Sequence, residues 1–330
     1  MPSLRDARIL AVHAHPDDEA LWTGGFLALA AHAGAKVGVV TCTLGEQGEV
    51  IGEPLANLVA DASDQLGGFR ISELRESLKI LGAEGYYLGA PGKWRDSGMV
   101  GDPAQDHPRA FVQSGDSAVA DLRAVVEEFQ PDILVTYGPD GGYGHPDHIR
   151  AHEITMAVAV ELGIDYVLWA VTEQRCLERG LAAINTAPHG WRMPQAGEIA
   201  CVEDTDLAFD LDASSWEAKR AAMRAHATQL WIADGSLSTT NPIPAFAAIA
   251  DTDITPAVFA LSNLVAQPLM PQEHYQFAPM WPQDQRAVGT EVVSIAPAGV
   301  AAVLAAAQDP AMFVADIDSA AGAVEGSSQV

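Results

Sequence analysis

Residues 8–19, RILAVHAHPDDE, decide the fold that we expect for this chain. The apolar residues 9–12 predict a buried strand, and a polar stretch begins where that strand ends. Pro16 favours an extended backbone at His15 and is compatible with the first turn of a helix. The stretch therefore predicts a strand, a short polar loop and a helix, which together form the first unit of a layered α/β sheet.

Residues 133–148, ILVTYGPDGGYGHPDH, repeat this arrangement much later in the chain. We call residues 15–18 the first HPD loop and residues 145–148 the second HPD loop. Polar loops that follow parallel strands gather at the carboxyl edge of an open sheet, where ligands usually bind. We therefore expect the two HPD loops to meet in space.

Apolar strands and amphipathic segments alternate through the first half of the chain. We expect strands at residues 8–14, 36–43, 86–88, 133–137 and 166–171, and helices at residues 19–33, 71–81, 118–129 and 146–162. This alternation predicts an α/β fold, with a Rossmann-like, layered, mostly parallel sheet, helices on both faces and a smaller C-terminal lobe.

The alternation ends after about residue 172. Beyond it we expect a helix at residues 215–232 and proline-rich turns at residues 241–282. The expected domains are a Rossmann-like catalytic core at residues 1–172, a C-terminal lobe or cap that completes the substrate pocket at residues 173–295, and a low-complexity tail rich in Ala and Gly at residues 296–330. In the tail we expect at most one helix, at residues 297–308, followed by a disordered segment.

Composition and charge exclude several classes of protein. The chain has 330 residues, of which 48% are hydrophobic, and a formal net charge of -26. Such a charge argues against nucleic acid or an anionic membrane as a partner. No apolar run reaches the ~20 residues of a membrane helix, and no leader peptide is recognisable. Three separated cysteines suit a reducing compartment, so we expect a cytoplasmic protein.

The two HPD loops contain the residue types that bind a catalytic metal ion. Zinc is satisfied by a few imidazole and carboxylate ligands, with one position left open for water. We predict that His15, Asp18 and His148 bind one such ion. Each residue alone is more often a helix cap or a packing residue, but two such loops in one sheet favour a metal site. These ligands accept zinc or ferrous iron, so the identity of the metal stays open.

Asp17 is the predicted general base. A bound metal lowers the pKa of water from about 15.7 to about 7, and a neighbouring carboxylate can take the proton. We expect Tyr143 and His145 to stabilise the oxyanion, and His145 also to protonate the departing amine. Asp147 is expected to bond the far nitrogen of His145 and to favour its cationic form.

These motifs resemble the PIG-L/LmbE family of zinc-dependent N-deacetylases, which act on N-acetylglucosamine conjugates. The family resemblance lies in residues 14–19 (AHPDDE) and 144–148 (GHPDH). Resemblance to the mycothiol branch lies in residues 41–52, 65–71, 94–99, 225–229, 261–264 and 273–275. The resemblance covers most of residues 7–280, and the tail has no counterpart in it.

The resemblance implies a specific reaction. This is the removal of acetate from N-acetylglucosaminyl-inositol, a pseudo-disaccharide, in mycothiol biosynthesis, with one zinc ion per chain. It implies the same metal ligands, base and oxyanion residues that were identified above. It also implies that Glu49, Arg70, Asp96 and Met99 contact the sugar or the inositol.

Three alternatives stay open, as does the oligomeric state. A mycothiol S-conjugate amidase would share the metal and base residues and is expected to differ at Glu19 and around Met99. An Fe(II) oxygenase also uses two histidines and a carboxylate, although Asp17 has no obvious duty there. A non-catalytic sugar-binding or nucleotide-binding module is the third, and the lack of Gly-x-Gly-x-x-Gly after the first strand weakens the nucleotide version.

Overall fold

The structure is a computed structural model that describes residues 4–282 and 298–308. Its strands are β1 (Arg8–His13), β2 (Lys36–Thr41), β3 (Glu84–Tyr87), β4 (Ile133–Tyr137), β5 (Val167–Val171), β6 (Ile184–Thr186), β7 (Leu207–Asp210), β8 (Leu230–Ile232), β9 (Ala248–Ile249), β10 (Ala257–Leu261), β11 (Gln267–Leu269) and β12 (Gln272–Phe277). Its α-helices are α1 (Asp18–Trp22), α2 (Gly24–His32), α3 (Leu66–Leu81), α4 (Gly115–Phe129), α5 (Pro146–Leu162), α6 (Gln174–Ala182), α7 (Ala213–Ala225) and α8 (Ala298–Gln308). Short 3-10 helices lie at Leu4–Asp6, Ala56–Leu58, Pro103–Asp106 and Phe111–Gln113.

The part of the chain that the structure describes has a central seven-stranded sheet. Its strand order is β3-β2-β1-β4-β5-β12-β7. Strands β1 to β5 pair in parallel, whereas β12 runs antiparallel to both β5 and β7. Smaller antiparallel sheets are formed by β11-β10-β8 and by β6-β9. The predicted α/β fold with a mostly parallel central sheet is therefore confirmed.

Strand β1 shows why this sheet is buried on both faces. Ile9 and Ala11 pack with α2 and α3, whereas Leu10 and Val12 pack with α4 and α5. Alternate residues of a strand point to opposite faces, so a continuous apolar run is needed where both faces are covered by helices. The apolar run that predicted this strand is therefore required by its place in the middle of the sheet.

The C-terminal half of the chain extends the same sheet. Strands β7 and β12 are its last two members, and α7 packs against α2 and α3. The sheet thus continues past residue 172, while the division of the chain into core, lobe and tail stays a prediction. The expectation of only turns at residues 241–282 is wrong, because this segment contains four strands, β9 to β12.

The helix predicted at residues 215–232 ends earlier than expected. Helix α7 ends at Ala225, and residues 230–232 form β8, which pairs with β10. The side chain of His226 bonds Glu19, and Thr228 bonds Glu73 through both its N–H and its hydroxyl group. These contacts with distant parts of the chain end the helix.

The helix predicted at residues 19–33 is divided into α1 and α2 at Thr23. The Thr23 hydroxyl donates to the carbonyl of Glu19 at 3.1 Å and lies 2.9 Å from Nε2 of His13. Thr23 itself has a non-helical backbone. A buried bond to the neighbouring strand therefore interrupts a segment that reads as one helix.

The helix expected in the tail is confirmed as α8, and Val300, Val303 and Leu304 are buried in the core beside Leu4. The disordered segment that we expect after it lies outside the described residues. No helix within residues 4–282 and 298–308 combines the length and the hydrophobicity of a membrane-spanning segment.

A buried ion pair joins the C-terminal half to the first helices. Glu273 on β12 accepts hydrogen bonds from Nζ of Lys219 at 2.5 Å and from the N–H groups of Gly25 and Phe26, each at 2.8 Å. Lys219 also donates to the carbonyl of Leu21 at 2.8 Å. Both charged side chains are buried. The carboxylate therefore neutralises a buried ammonium group and caps the first turn of α2.

We expect Glu273→Leu to lower the free energy of unfolding by about 3–5 kcal/mol, because it leaves the Lys219 ammonium group buried without a negatively charged partner. The double variant Lys219→Met/Glu273→Leu removes both charges and should recover most of this loss. Urea unfolding of the two variants and the wild type measures the difference. An equal loss in both variants would show that the charge pairing is not the cause.

Candidate metal centre

The two HPD loops lie side by side at one edge of the sheet. Strands β1 and β4 are parallel neighbours, so the loops that follow them begin at the same edge. The ring of His15 lies 4.6 Å from that of His145 and 5.2 Å from that of His148, measured between ring centres. Strand pairing thus brings together residues that are far apart in the sequence.

Three side-chain atoms form what we call the ligand triangle: His15 Nδ1, Asp18 Oδ2 and His148 Nε2. The distances are 3.5 Å from His15 to Asp18, 3.4 Å from Asp18 to His148 and 3.3 Å between the two histidines. Ligands about 2.0–2.1 Å from a tetrahedral zinc ion stand about 3.3–3.4 Å from one another. The triangle therefore has the size that such an ion requires, and all three side chains are buried.

The charges around the triangle also suit a cation. Burial disfavours the charged form of His15, but the carboxylates of Asp96, Asp147 and Asp18 outweigh this effect and raise the pKa of His15 well above its ordinary value. Burial also opposes ionisation of Asp18, but His148 and His15 hold the pKa of Asp18 well below its ordinary value. A buried cluster with this excess of carboxylates is stabilised by positive charge.

Each imidazole of the triangle has its other nitrogen near an acceptor. His148 Nδ1 lies 3.1 Å from the carbonyl oxygen of Gly141, and His15 Nε2 lies 3.3 Å from Asp147 Oδ2 and 3.6 Å from Asp96 Oδ1. Histidines that bind metals are usually oriented in this way. A Cβ at Gly141 would lie only 2.8 Å from the Cβ of His148, so glycine permits the close approach.

The expected pairing of Asp147 with His145 is wrong. The Asp147 carboxylate contacts His15 instead and accepts from the N–H of Ser97 at 2.9 Å. His145 is the N-cap of α5, and its Nδ1 accepts from the N–H of Asp147 at 3.1 Å. Burial and the imidazoles of His15 and His148 lower the pKa of His145 to about 3, so its cationic form is not favoured.

Asp17 lies beside the triangle with its backbone at φ 115° and ψ -29°. Its Oδ2 is 3.2 Å from Nη2 of Arg70, and its N–H donates to Oε2 of Glu19 at 3.0 Å. Burial, opposed by the charge of Arg70, raises the pKa of Asp17 to about 6. The carboxylate is thus held at the edge of the cavity described below, next to a predicted ligand.

Tyr143 and His145 lie at the mouth of the site. Tyr143 is 50% exposed, and its ring centre is 5.0 Å from that of His148. A nitrogen of His145 lies within 4.8 Å of nitrogens of His15 and His148. The triangle with Asp18 includes a negative charge and has sides of 3.3–3.5 Å, so it suits a divalent cation better than three imidazoles without a carboxylate.

A cavity of about 610 Å³ is lined by two residues of the triangle, His15 and Asp18, and by Asp17. Small-molecule sites commonly have volumes of about 300–1,000 Å³. The HPD loops lie on one side, and the C-terminal half contributes residues 198–200 and the hairpin of β10 and β11 on the other. Ser262, Asn263 and Gln267 add hydrogen-bonding groups to this second wall, which suits a ligand rich in hydroxyl groups.

The four predicted sugar contacts all line the cavity, but they differ in exposure. Glu49 is exposed, and Met99 is 49% exposed. Arg70 and Asp96 are buried, and their polar atoms already bond the protein: Arg70 donates to two backbone carbonyls, and Asp96 accepts from two backbone N–H groups. Their contact with a sugar stays a prediction.

Glu19 is not a pocket residue, which corrects the expectation that it separates a deacetylase from an amidase. It is fully buried and does not line the cavity. Its Oε1 accepts from Nε2 of His226 and from the hydroxyl of Ser77. It therefore cannot touch a substituent of the substrate.

Tyr137, the last residue of β4, is a site residue that the sequence analysis missed. Its ring stacks on His148 with 4.1 Å between ring centres, and its hydroxyl accepts from the N–H of Ala14 at 2.9 Å and also bonds Asp18. Tyr137 thus supports two residues of the triangle. A tyrosine at the end of a buried strand could have indicated this role. Its buried hydroxyl needs a hydrogen-bond partner, and the first HPD loop begins at the same edge of the sheet.

Comparison with known proteins agrees with the motifs. The family model described as PIG-L, GlcNAc-PI de-N-acetylase, matches residues 10–159. A Corynebacterium diphtheriae protein named 1D-myo-inositol 2-acetamido-2-deoxy-alpha-D-glucopyranoside deacetylase is 59% identical over 276 residues, which are 84% of this chain and 94% of the relative. The chain belongs to the PIG-L family. The resemblance identified from the two HPD loops is therefore confirmed.

A second relative and a solved structure are also similar to this chain. A protein of the same name from Corynebacterium efficiens is 60% identical over 274 residues, which are 83% of this chain and 88% of the relative. Among solved structures, N,N'-diacetylchitobiose deacetylase from Pyrococcus horikoshii is 19% identical, covers 69% of this chain and 73% of that chain, and gives a TM-score of 0.45. The similarity to the Corynebacterium proteins extends well beyond the segment that the PIG-L model matches.

We expect the His148→Ala variant not to retain its metal, because the substitution removes one of the three predicted ligands. Metal analysis after dialysis should find about one ion per chain in the wild type and almost none in the variant. His152→Ala is the matched control: it is one turn further along α5, and its Nδ1 bonds the carbonyl of Tyr137 at 2.9 Å. Equal metal content in the two variants would contradict the assignment of His148.

We expect Asp147→Asn to weaken metal binding about 10–100-fold, because the charged partner of His15 is lost while all three predicted ligands remain. Competition with a chelator of known affinity measures the effect. Unchanged metal affinity in Asp147→Asn would contradict this role of the Asp147 carboxylate.

Proposed function

We propose that this chain is a metal-dependent N-deacetylase that hydrolyses the acetamide of 1D-myo-inositol 2-acetamido-2-deoxy-α-D-glucopyranoside in mycothiol biosynthesis. The observation that carries the proposal is the buried ligand triangle with the carboxylate of Asp17 beside it, at the floor of a cavity of suitable size. The printed names of the two Corynebacterium relatives support the choice of substrate.

The proposed cofactor is one zinc ion per chain, bound by His15, Asp18 and His148. Two imidazoles and a carboxylate also suit ferrous iron, so metal analysis of protein purified from its native cell distinguishes the two. When bound, such an ion would polarise the acetyl carbonyl and lower the pKa of the attacking water. The remaining steps belong to residues of the chain.

Asp17 is the proposed general base, which takes a proton from the attacking water. Its Oδ2 is held by Arg70, so the base keeps one orientation towards the cavity. The departing nitrogen needs a proton when the C–N bond breaks. We assign this step to Asp17, which passes on the proton taken from water, in place of the donation expected from His145, because the cationic form of His145 is not favoured. The products are then acetate and the free amine of the sugar.

His145 and Tyr143 are the proposed donors to the oxyanion. Because His145 Nδ1 accepts from the N–H of Asp147, the neutral ring carries its proton at Nε2 and can donate it as a hydrogen bond. The Tyr143 hydroxyl is a second neutral donor at the mouth of the site. Such donors stabilise the negative charge that develops on the carbonyl oxygen.

Binding of the sugar is assigned to the exposed residues of the cavity, Glu49 and Met99, and to Arg70 and Asp96, which also line it. A pseudo-disaccharide offers many hydroxyl groups, each of which needs a donor or an acceptor. Holding the sugar at several points would fix the acetamide in front of Asp17, which favours the attack.

The alternatives differ from this proposal in measurable ways. A mycothiol S-conjugate amidase would give the higher kcat/KM on the conjugate, and a deacetylase would give it on N-acetylglucosaminyl-inositol. An oxygenase would require oxygen and would leave Asp17 without a function, and a binding module would release no acetate. An acetate-release assay with both substrates therefore tests the proposal.

We expect Asp17→Asn to keep its metal but to lose about 10²–10⁴-fold in kcat, because the amide cannot accept the proton from water. Acetate release and metal content are measured on the same sample. A metal-loaded variant with the activity of the wild type would contradict the assignment of Asp17.

A further inference from the structure

The backbone of Asp17 is in a region that residues other than glycine seldom adopt. Its φ of 115° is positive, and such conformations persist where surrounding contacts enforce them. Arg70 holds the carboxylate of Asp17, and Glu19 holds its N–H. The orientation of the proposed base therefore depends on what keeps Glu19 in place.

Glu19 is held by partners from two other parts of the chain. Its Oε2 accepts from the N–H of Asp17 at 3.0 Å, while its Oε1 accepts from His226 Nε2 at 2.6 Å and from the Ser77 hydroxyl at 2.5 Å. Both Glu19 and His226 are completely buried. A buried carboxylate depends on such partners, because water cannot replace them.

His226 comes from the C-terminal half, immediately after the end of α7. Its Nε2 bonds Glu19, and among the described residues its buried Nδ1 has no hydrogen-bond partner. The turn that carries it is fixed, because Thr228 donates to Glu73 through its N–H at 2.9 Å and through its hydroxyl at 2.7 Å. The His226 ring thus uses its hydrogen bond to hold the Glu19 carboxylate.

We propose that His226 and Glu19 are positioning residues for Asp17, an inference that rests on the function proposed above. His226 fixes Glu19, Glu19 fixes the Asp17 N–H, and this bond maintains the positive φ that directs the Asp17 carboxylate to Arg70 and the cavity. The C-terminal half thereby sets the orientation of the base through His226, which does not itself reach the cavity. Neither positioning residue lines the cavity or belongs to the ligand triangle.

This arrangement predicts a particular kinetic effect. Loss of the His226 bond should let Glu19 turn away and Asp17 relax to a negative φ, which moves its carboxylate. The three ligand atoms and the sugar-facing wall should stay as they are. The effect should therefore fall on kcat, with KM and metal content unchanged, as expected when an interaction that acts on the transition state is lost.

The first test compares three substitutions of His226. The amide nitrogen of Gln can reach the position of Nε2, whereas Asn is too short and Leu has no donor. We expect His226→Leu and His226→Asn to lower kcat about 10–100-fold and His226→Gln to recover most of it. Glu73→Gln is the matched control, because it alters a buried carboxylate that holds the same turn but does not contact Asp17.

Circular dichroism and metal analysis accompany each kinetic measurement. If His226→Leu does not fold, the Asn and Gln variants make the same comparison. A loss of kcat that Gln does not restore, or an equal loss in Glu73→Gln, overturns the proposal, because either result indicates general loosening of the turn.

The second test places His226→Asn in the Asp17→Asn background. Positioning acts through the Asp17 carboxylate, so the second substitution should change the remaining kcat less than about twofold. A role in overall stability predicts instead that the two losses multiply. Multiplied losses overturn the proposal.

A crystal structure of the His226→Asn variant tests the predicted change in the Asp17 backbone without an activity measurement. We expect the bond from the Asp17 N–H to Glu19 to be broken and the φ of Asp17 to be negative. An unchanged Asp17 overturns the inference whatever the activity of the protein. A wild type that releases no acetate refutes the proposed function alone, and the crystal structure still decides whether His226 positions Asp17.

Discussion

The parallel pairing of β1 with β4 is the constraint on which the site depends. It places the two HPD loops at one edge of the sheet and brings His15, Asp18 and His148 to within 3.3–3.5 Å of one another. Without a cation, this geometry crowds imidazoles and carboxylates together in a buried space. The fold therefore maintains an arrangement that suits a metal ion and gains little from it otherwise.

Buried carboxylates of the N-terminal half receive partners from the C-terminal half. Glu19 bonds His226, and Glu73 bonds Thr228. In the opposite direction, Glu273 of the C-terminal half caps α2 of the N-terminal half. Because unpaired buried charges are costly, these contacts couple the positions of the two halves. The C-terminal half thus supports the loops as well as forming a wall of the cavity.

The sequence correctly predicted the strands and helices that depend mainly on neighbouring residues. The apolar runs of β1 and β4 and the proline at the start of α5 predicted the strands and the helix that hold both HPD loops. The end of α7 and the pairing of Asp147 with His15 were missed, because they depend on partners more than a hundred residues away. In β12, Gln272–Phe277, burial alternates, but one of the three buried residues is the charged Glu273, so the apolar alternation that predicts a strand was too short to recognise.

The buried network also limits where substrate choice can arise. Glu19, Asp147 and Tyr137 bond other protein groups and lie outside the cavity lining, so they can align the reacting groups but cannot select a sugar. Selection has to come from side chains that reach the cavity, such as Glu49 and Met99, and from the hairpin of β10 and β11. A deacetylase and an amidase built on this framework would therefore share the buried residues and differ along that wall.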